Sequence, residues 1–335
     1  MSDLRIDNIT NRTGDGAPVI AGVCTATGTG AFVVPVGPTE LRGGRGRGVF
    51  GSGATPTGVN VMDMITIATT GDSIDFGDDH KIRQENYAAF SSSTRGINAG
   101  GYNPAAFADI HYFTFSSDGG MSHFGDLNVA VYSNAGCGNN IRGLSGGSNQ
   151  KVATIEQVII ATTGDGSTFG ELVQGASFTG SGINSPTRGI WHGGTRMPAN
   201  AVSGLIDYVT ITTAGNAIEF GELVTDRNSH CGTSNSTRGL IIAGQNPTNL
   251  NSIEYITIPT TGKAQDFGDV SNTIDYLGAC ASSTRGVSAG GQTPSKKDTI
   301  EYVTISTIGN ALDFGDLTVA RRFTQGCSDV HGGLG

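Results

Sequence analysis

Charged residues are scarce in this chain of 335 residues: they make up 15% of it, against about a quarter of an average soluble protein. The 20 basic and 29 acidic residues leave a formal net charge of -9. A general nucleic-acid binder needs a basic face, so this balance argues against such a partner. There is no run of about 18 apolar residues, so we expect no membrane-spanning helix and no membrane insertion. The first residues lack the basic end and apolar segment of a secretory signal, so we expect none.

Motifs that carry chemistry are scarce as well. None of the cysteines belongs to a C-x-x-C pair, which argues against a zinc site or a redox dithiol, and we expect all five thiols to be free. None of the histidines shows H-E-x-x-H spacing, so they are interpreted as ordinary surface or strand residues. The G-x-S-x-G spellings at Ser145 and Ser288 are not followed by the helix that a nucleophile elbow requires. We therefore predict no catalytic residue, no metal and no cofactor. The positions in question are Cys24, Cys137, Cys231, Cys280 and Cys327, and His80, His111, His123, His192, His230 and His331.

Glycine, by contrast, is abundant at 53 positions, and much of it belongs to an internal repeat. An Arg-Gly pair with a glycine-rich tail recurs at intervals of 46 to 50 residues, at Arg47, Arg95, Arg142, Arg188, Arg238 and Arg285. A Phe-Gly-Asp/Glu mark recurs in parallel, at Phe76, Phe124, Phe169, Phe220, Phe267 and Phe314. Between the two marks lies an alternating run such as IEYVTI from Ile300, which is typical of a strand with one buried face.

Each repeat therefore predicts four short strands: a small-residue stretch, the RGxxxGG segment, the alternating run, and a strand that begins at Phe-Gly-Asp. Four antiparallel strands in about 47 residues are typical of a β-propeller blade, and six repeats predict six blades. The predicted fold is all-β, a six-bladed β-propeller over residues 42–335 preceded by an extended arm over residues 1–41. A solenoid of stacked sheets is the alternative.

Three details of the repeat have physical readings. The first copy begins with its second strand at Arg47, and the segment near Cys327 resembles a first strand, so we expect that segment to complete the blade of Arg47 and close the ring. Each Phe of the second mark is expected to fill the space between neighbouring blades. The six arginines and the six acids after Phe-Gly are expected to form repeated ion pairs or strand-end hydrogen bonds. Those acids are Asp78, Asp126, Glu171, Glu222, Asp269 and Asp316.

The repeat resembles the kelch-type propeller repeat over about residues 42–335. It departs from that family in having Phe-Gly-Asp/Glu where a tryptophan is usual. Units such as IEYVTISTIGNALDFGDLTVARR with STRGVSAGG look like glycine-rich propeller proteins predicted in virions of marine tailed phages, cyanophages in particular. The leader DLRIDNITNRTGDGAPVIAGV is similar to N-terminal attachment segments of phage fibre proteins. The resemblance implies a virion location. Residues 1–41 have too little apolar content to fold alone, so we expect them to be held by a partner, either another virion protein or a copy of this chain; packing along the flank of the propeller is the alternative.

The loops between the second and third strands break the repeat, and variable loops on a rigid scaffold are the usual place for recognition. The candidate binding residues in and beside these loops are Tyr102, Trp191, His192, Arg196, Met197 and Asn246. The expected function is a non-enzymatic structural protein on the capsid or tail surface. The alternatives are a receptor-binding fibre module that recognises a host surface glycan, or a propeller hydrolase that uses carboxylates such as Asp78 and Asp79.

Overall fold

A computed structural model of the chain describes residues 19–20, 24–25, 46–117, 119–178 and 180–334. Within these ranges the protein is all-β: no α-helix occurs, and Gly332–Leu334 forms a single 3-10 turn. No helix in the described ranges is long and apolar enough to cross a bilayer. The expected arm over residues 1–41 lies outside the described residues apart from the paired strands Val19–Ile20 and Cys24–Thr25.

The described strands form six four-stranded antiparallel sheets, an arrangement consistent with a β-propeller. The sheets are numbered 1 to 6 by repeat, and the strands of each sheet are given from first to fourth. The first three are sheet 1 (Gln325–Ser328, Arg47–Thr55, Thr57–Thr66, Ile74–Asp78), sheet 2 (Ala88–Ser91, Arg95–Ala99, Phe107–Thr114, Ser122–Val131) and sheet 3 (Ala135–Gly138, Arg142–Gly146, Thr154–Ile159, Ser167–Glu171). The other three are sheet 4 (Ile183–Asn184, Arg188–His192, Leu205–Thr210, Ile218–Glu222), sheet 5 (Cys231–Ser234, Arg238–Gln245, Asn249–Thr257, Gln265–Asp269) and sheet 6 (Gly278–Ala281, Arg285–Ala289, Thr299–Thr304, Leu312–Asp316). Two small sheets lie outside these six. Ala176–Ser177, in the connection between sheets 3 and 4, joins Thr195–Arg196 and Ala201–Val202 of the sheet 4 loop, and Gln292–Thr293 pairs with Ser295–Lys296 in the loop of sheet 6.

The C-terminal strand belongs to the sheet of the first repeat. Gln325–Ser328 pairs antiparallel with the strand that begins at Arg47, with Cys327 opposite Val49. The predicted pairing of these two segments is confirmed. Sheet 1 is thus assembled from the two ends of the repeat region, and its second strand has a hydrogen-bonded neighbour on both sides.

The fourth strand starts two residues earlier than the sequence predicts, because its pairing with the third strand continues past a β-bulge at the Phe-Gly mark of every sheet. In sheet 1, Met62 is opposite Gly77 and the next residue, Asp63, is opposite Asp75, so Phe76 is the extra residue. The same register shift recurs in the other five sheets. A bulge re-aims a side chain. The phenylalanine of each mark is only 2–3% exposed.

These phenylalanines lie between sheets, as predicted. Each of the six apolar clusters joins one sheet to the next; Phe267 of sheet 5, for example, shares a cluster with Val303 and Ile305 of sheet 6. Burying a side chain of this size contributes about 1.5–3 kcal/mol. The core of the protein is therefore distributed over the spaces between sheets.

The repeat arginines form strand-end hydrogen bonds, one of the two roles that the sequence predicts. Arg47 donates to the carbonyl of Phe115 in the following sheet. The other five donate from Nη1 to a carbonyl at the corresponding position, over 2.6–3.1 Å. Arg285 also lies over the ring of Tyr302, with Cζ 4.5 Å from the centroid. The acids of the Phe-Gly mark are exposed, apart from the partly exposed Asp269.

Candidate binding surface

Three of the six residues expected to form a binding surface are buried. Trp191 and His192 end the second strand of sheet 4 and are 0% and 3% exposed, and Arg196 is 2% exposed. The indole Nε1 of Trp191 donates to the carbonyl of Ala135 in sheet 3 (3.0 Å), and Nη1 of Arg196 donates to Asp207 (2.6 Å). In this structure Trp191 packs in an apolar cluster between sheets 3 and 4, and Arg196 neutralises the buried carboxylate of Asp207, so these side chains are not presented at the surface.

The other three candidates do reach the surface. Tyr102 is partly exposed, Met197 is 41% exposed and Asn246 is exposed. They lie in the loops of sheets 2, 4 and 5, and no hydrogen bond or ring contact joins any two of them in the described part of the chain. The sequence therefore identifies three separate loop positions and not one site.

Tyr102 is the candidate with aromatic and charged neighbours. Its ring lies 5.0 Å from that of Tyr132, and its backbone forms a β-bridge with Glu85. The pKa of Tyr132 is raised by burial and by the nearby Glu85 and Tyr102. The pKa of Glu85 is raised by burial, which outweighs the opposing charge of Arg322.

Arg322 extends this group toward sheet 6. Its guanidinium lies 5.8 Å from the ring centroid of Tyr276 and 4.6 Å from that of Phe323, and its Nη1 donates to Oε1 of Gln292 (3.0 Å). We call Glu85, Tyr102, Tyr132, Tyr276 and Arg322 the tyrosine surface; all five are partly exposed. The loops that carry candidate residues were visible in the sequence, whereas Glu85, Tyr132, Tyr276 and Arg322 come from the connections between sheets, which the repeat did not single out.

The tyrosine surface combines groups suited to recognition. Tyrosine offers an apolar ring and a hydroxyl that donates and accepts, and arginine and tyrosine are enriched at binding hot spots. A carboxylate beside aromatic rings can accept hydrogen bonds from the hydroxyl groups of a ligand whose apolar face lies on a ring. The chemistry fits a polar, hydroxyl-rich ligand or a protein surface.

Several buried carboxylates serve the framework instead. Each is paired with an arginine of a connection or loop: Asp63 with Arg321, Asp79 with Arg83, Asp207 with Arg196 and Glu254 with Arg227. Burial raises the pKa of Asp207 although Arg196 opposes the shift. Removing one member of such a pair leaves an uncompensated buried charge, which strongly destabilises the fold.

Among the residues that the structure describes, one group could hold a metal ion. Asp109, His111 and His123 of sheet 2 each offer one ligand atom, and these atoms lie within 4.8 Å of one another. His80 is close by, with its ring centroid 5.4 Å from that of His111. The spacing of these histidines along the chain matches no metal motif, so the sequence predicts ordinary strand residues; the pairing of the third and fourth strands brings them together.

The cavity between the first strands is too small for a ligand. It measures about 30 Å³ and is lined by residues of these strands, among them Ser91, Gly136 and Ser328. A space of this size holds about one water molecule, whereas ligand pockets measure some 300–1,000 Å³. His331 lies against this cavity and bonds to Ser91 and Asn184 over 2.8 Å.

Comparison with known proteins gives no functional assignment: no protein-family model and no curated protein matches the chain at a significant level.

Proposed function

We propose that this chain is a non-enzymatic structural protein of a phage particle. It is a six-bladed β-propeller, closed as a ring by the C-terminal strand, that exposes the tyrosine surface on one face and is docked on another virion protein through residues 1–41. It needs no cofactor for this role. The likeness of the repeat units to propeller proteins predicted in phage virions, and of the leader to fibre attachment segments, supports the virion context.

The observation that carries the proposal is that sheet 6 contacts sheet 1 as the other sheets contact their neighbours. The backbone N–H of Gly71 donates to the carbonyl of Phe314 (2.7 Å), as that of Gly119 donates to the carbonyl of Phe76 (2.8 Å). Nη1 of Arg285 reaches the carbonyl of Ile67 in sheet 1 (2.9 Å). These contacts support a closed ring of six blades, which has no open sheet edge between its first and last repeats.

The first strands support the ring from the inside. Each of them contacts the first strands of two other sheets, and the contacts run from sheet 2 through sheet 6 to sheet 1 and back to sheet 2. Backbone hydrogen bonds also join successive connections, from Ser133 to Asn86 and from Phe323 to Tyr276, both over 2.8 Å. A scaffold of this kind holds its loops in fixed positions, as a display protein requires.

The loops and the connections between sheets lie on the same side. Gln84 of a connection donates its N–H to the carbonyl of Tyr102 (2.9 Å), and Asp275 of another forms a β-bridge with Gln292. The candidate loops and the tyrosine surface therefore share one face. This arrangement favours a second candidate function, recognition of a host surface glycan by the tyrosine surface.

The docking proposal is tested with the full chain and with residues 42–335. We expect the shorter chain to stay folded, with an unchanged circular dichroism spectrum, but to be absent from particles assembled in its presence. Incorporation of the shorter chain at the level of the full chain would refute docking through residues 1–41.

The glycan proposal is tested on a glycan array with the full chain and with Tyr102→Ala and Tyr132→Ala. Ile218→Ala is the matched control, because it truncates an exposed residue on the fourth strand of sheet 4, outside the candidate loops and the tyrosine surface. We expect a selective loss of about tenfold or more in the tyrosine variants, since each removes a stacking face. Binding that all three variants retain, or no binding by the full chain, would rule out this surface as the glycan site.

A further inference from the structure

We propose that Asp109, His111 and His123 bind one divalent transition-metal ion, Zn²⁺ in the first place, on sheet 2. This site goes beyond the display function and does not depend on it. Two imidazoles and one carboxylate form a ligand set that zinc accepts, with a water molecule in the fourth position.

The sheet register creates the site. His111 lies directly opposite His123 in the pairing of the third and fourth strands, just past the bulge at Phe124. Asp109 precedes His111 by two residues, so both side chains point to the same side of the strand. Ligand atoms of one tetrahedral zinc ion lie about 3.3 Å apart, given Zn–N distances of about 2.0 Å. Closing the present 4.8 Å needs only small side-chain rotations, and His123 is exposed and able to make them.

The same positions in the other sheets carry a different pattern. At the positions of His111 and His123, sheets 1, 4, 5 and 6 have two acids opposite each other, and sheet 3 has an acid opposite a threonine. Sheet 2 alone has two histidines there. The position of Asp109 is also distinctive, because no other repeat has an acid at it. Its counterparts are Val61, Thr154, Leu205, Ser252 and Thr299.

A further departure from the repeat lies behind His111. Asp79 stands where the other repeats have a buried leucine or valine, namely Leu127, Leu172, Leu223, Val270 and Leu317. Asp79 is 1% exposed, and Arg83 neutralises it. Its Oδ1 lies 3.3 Å from Nδ1 of His111. A carboxylate that accepts the Nδ1 proton of a histidine leaves Nε2 free to bind metal, and this is the usual second partner of metal-binding histidines.

The contacts of Arg83 and Lys81 belong to an alternative arrangement of these side chains without metal. Nη2 of Arg83 also lies 3.3 Å from Nδ1 of His111, a contact that suits the tautomer protonated on Nε2. Nζ of Lys81 bonds to Oδ2 of Asp109 (2.6 Å), and the lysine side chain is 40% exposed. A bound ion would select the tautomer that pairs with Asp79 and displace the lysine into solvent.

The site is tested on the untagged full chain by calorimetric titration with ZnCl₂ and by the visible spectrum of added Co²⁺. The variants are Asp109→Thr and His123→Thr, because Thr154 and Thr168 occupy these positions in sheet 3 and the fold accepts them there. Glu219→Thr is the matched control, at the position of His123 in sheet 4. We expect one Zn²⁺ per wild-type chain and an intense Co²⁺ spectrum of the tetrahedral type. We further expect at least a tenfold loss of affinity in the two variants and none in the control.

The outcomes separate clearly. A wild-type chain that takes up no Zn²⁺, or folded Asp109 and His123 variants that bind it as tightly as wild type, would overturn the proposal. Equal loss in Glu219→Thr would also overturn it, because the ion would then be held by exposed acids in general. Asp79→Asn tests the positioning role: if that variant folds, affinity should fall about 10- to 100-fold while the Co²⁺ spectrum keeps its shape.

Discussion

Nδ1 of His192 and Nε2 of His230 lie 2.8 Å apart, between sheets 4 and 5, with both rings buried. Burial and the charge of Arg227 lower the pKa of His230 to about 3, and burial together with His230 lowers that of His192. At these two positions the folded protein binds fewer protons than the unfolded chain between about pH 3 and the ordinary histidine pKa of about 6.5. We expect the contribution of this pair to the free energy of unfolding to fall as the pH is lowered through this window.

The measurement is denaturant unfolding at a series of pH values. His230→Gln removes one of the two neutral histidines, so its stability should depend less steeply on pH in the same window. His80→Gln, an exposed histidine, is the control and should follow the wild-type curve. Parallel curves for wild type and His230→Gln would contradict the assignment.

Asp63→Asn should be strongly destabilising. Asp63 and Arg321 are both fully buried, with Oδ2 and Nη1 2.7 Å apart. The substitution leaves the guanidinium without its counter-charge, which costs about 3–5 kcal/mol. Asp75→Asn, directly opposite on the exposed fourth strand, should change the free energy of unfolding by less than about 0.5 kcal/mol. Equal effects at the two positions, measured by chemical denaturation, would show that the pair is not an energetic link.

Deletion of residues 323–335 should sharply lower the melting temperature, because it removes the first strand of sheet 1 and exposes an edge of its second strand. Gly326→Val tests the same strand without shortening the chain: a Cβ there would lie 2.6 Å from the carbonyl oxygen of Ala279 and 2.8 Å from the ring of Phe50. Gly215→Ala is the control, since its Cβ meets nothing within 4 Å. Unchanged melting of the deletion variant would contradict the role of this strand.

Arg285 and Tyr302 should show a coupling free energy of about 0.5–1 kcal/mol in a double-mutant cycle of Arg285→Ala and Tyr302→Leu, as expected for a partly exposed cation–π pair. The matched cycle of Arg285→Ala with Tyr255→Leu should show none, since Tyr255 lies under Arg238 in sheet 5. The energies are read from urea unfolding. A coupling near zero in the first cycle would leave only the hydrogen bond to Ile67.

Thiol titration should give five free thiols in denaturant and slow reaction in the native protein. Cys137, Cys231, Cys280 and Cys327 are free and buried, and burial raises the pKa of Cys327 to about 12. Thiolate is the reactive form, so native thiols at these positions should resist modification. Fewer than five thiols in denaturant would indicate a disulfide.

Much of the fold could be predicted from the repeat. The second strands start at the repeat arginines, and the strand near Cys327 pairs with that of Arg47. Both could be predicted because the alternating runs and the stretches of small residues are local sequence signals. The bulge at Phe76 could not be predicted, since it depends on pairing register and not on composition. The early start of the fourth strand follows from that register.

The candidate surface was less predictable. Tyr102 was identified from its loop, but Trp191 and Arg196 also stand in or beside a loop and are buried, because burial depends on the neighbouring sheet. The Asp109 group was missed although a signal existed in the sequence. Aligning the six repeats position by position shows Asp79 in place of a buried leucine, and such a break in a structural pattern marks a place to search for chemistry.

The pairing of Gln325–Ser328 with the strand of Arg47 also sets the order of events during synthesis. The ribosome makes the Arg47 strand about 280 residues before its partner, which takes roughly 15–60 s at ordinary rates of translation. During that time one edge of the strand is open, while sheets 2 to 6 can form from local segments. The Arg47 strand of the nascent chain is thus exposed to mispairing, or to capture by a chaperone, until residues 325–328 leave the exit tunnel.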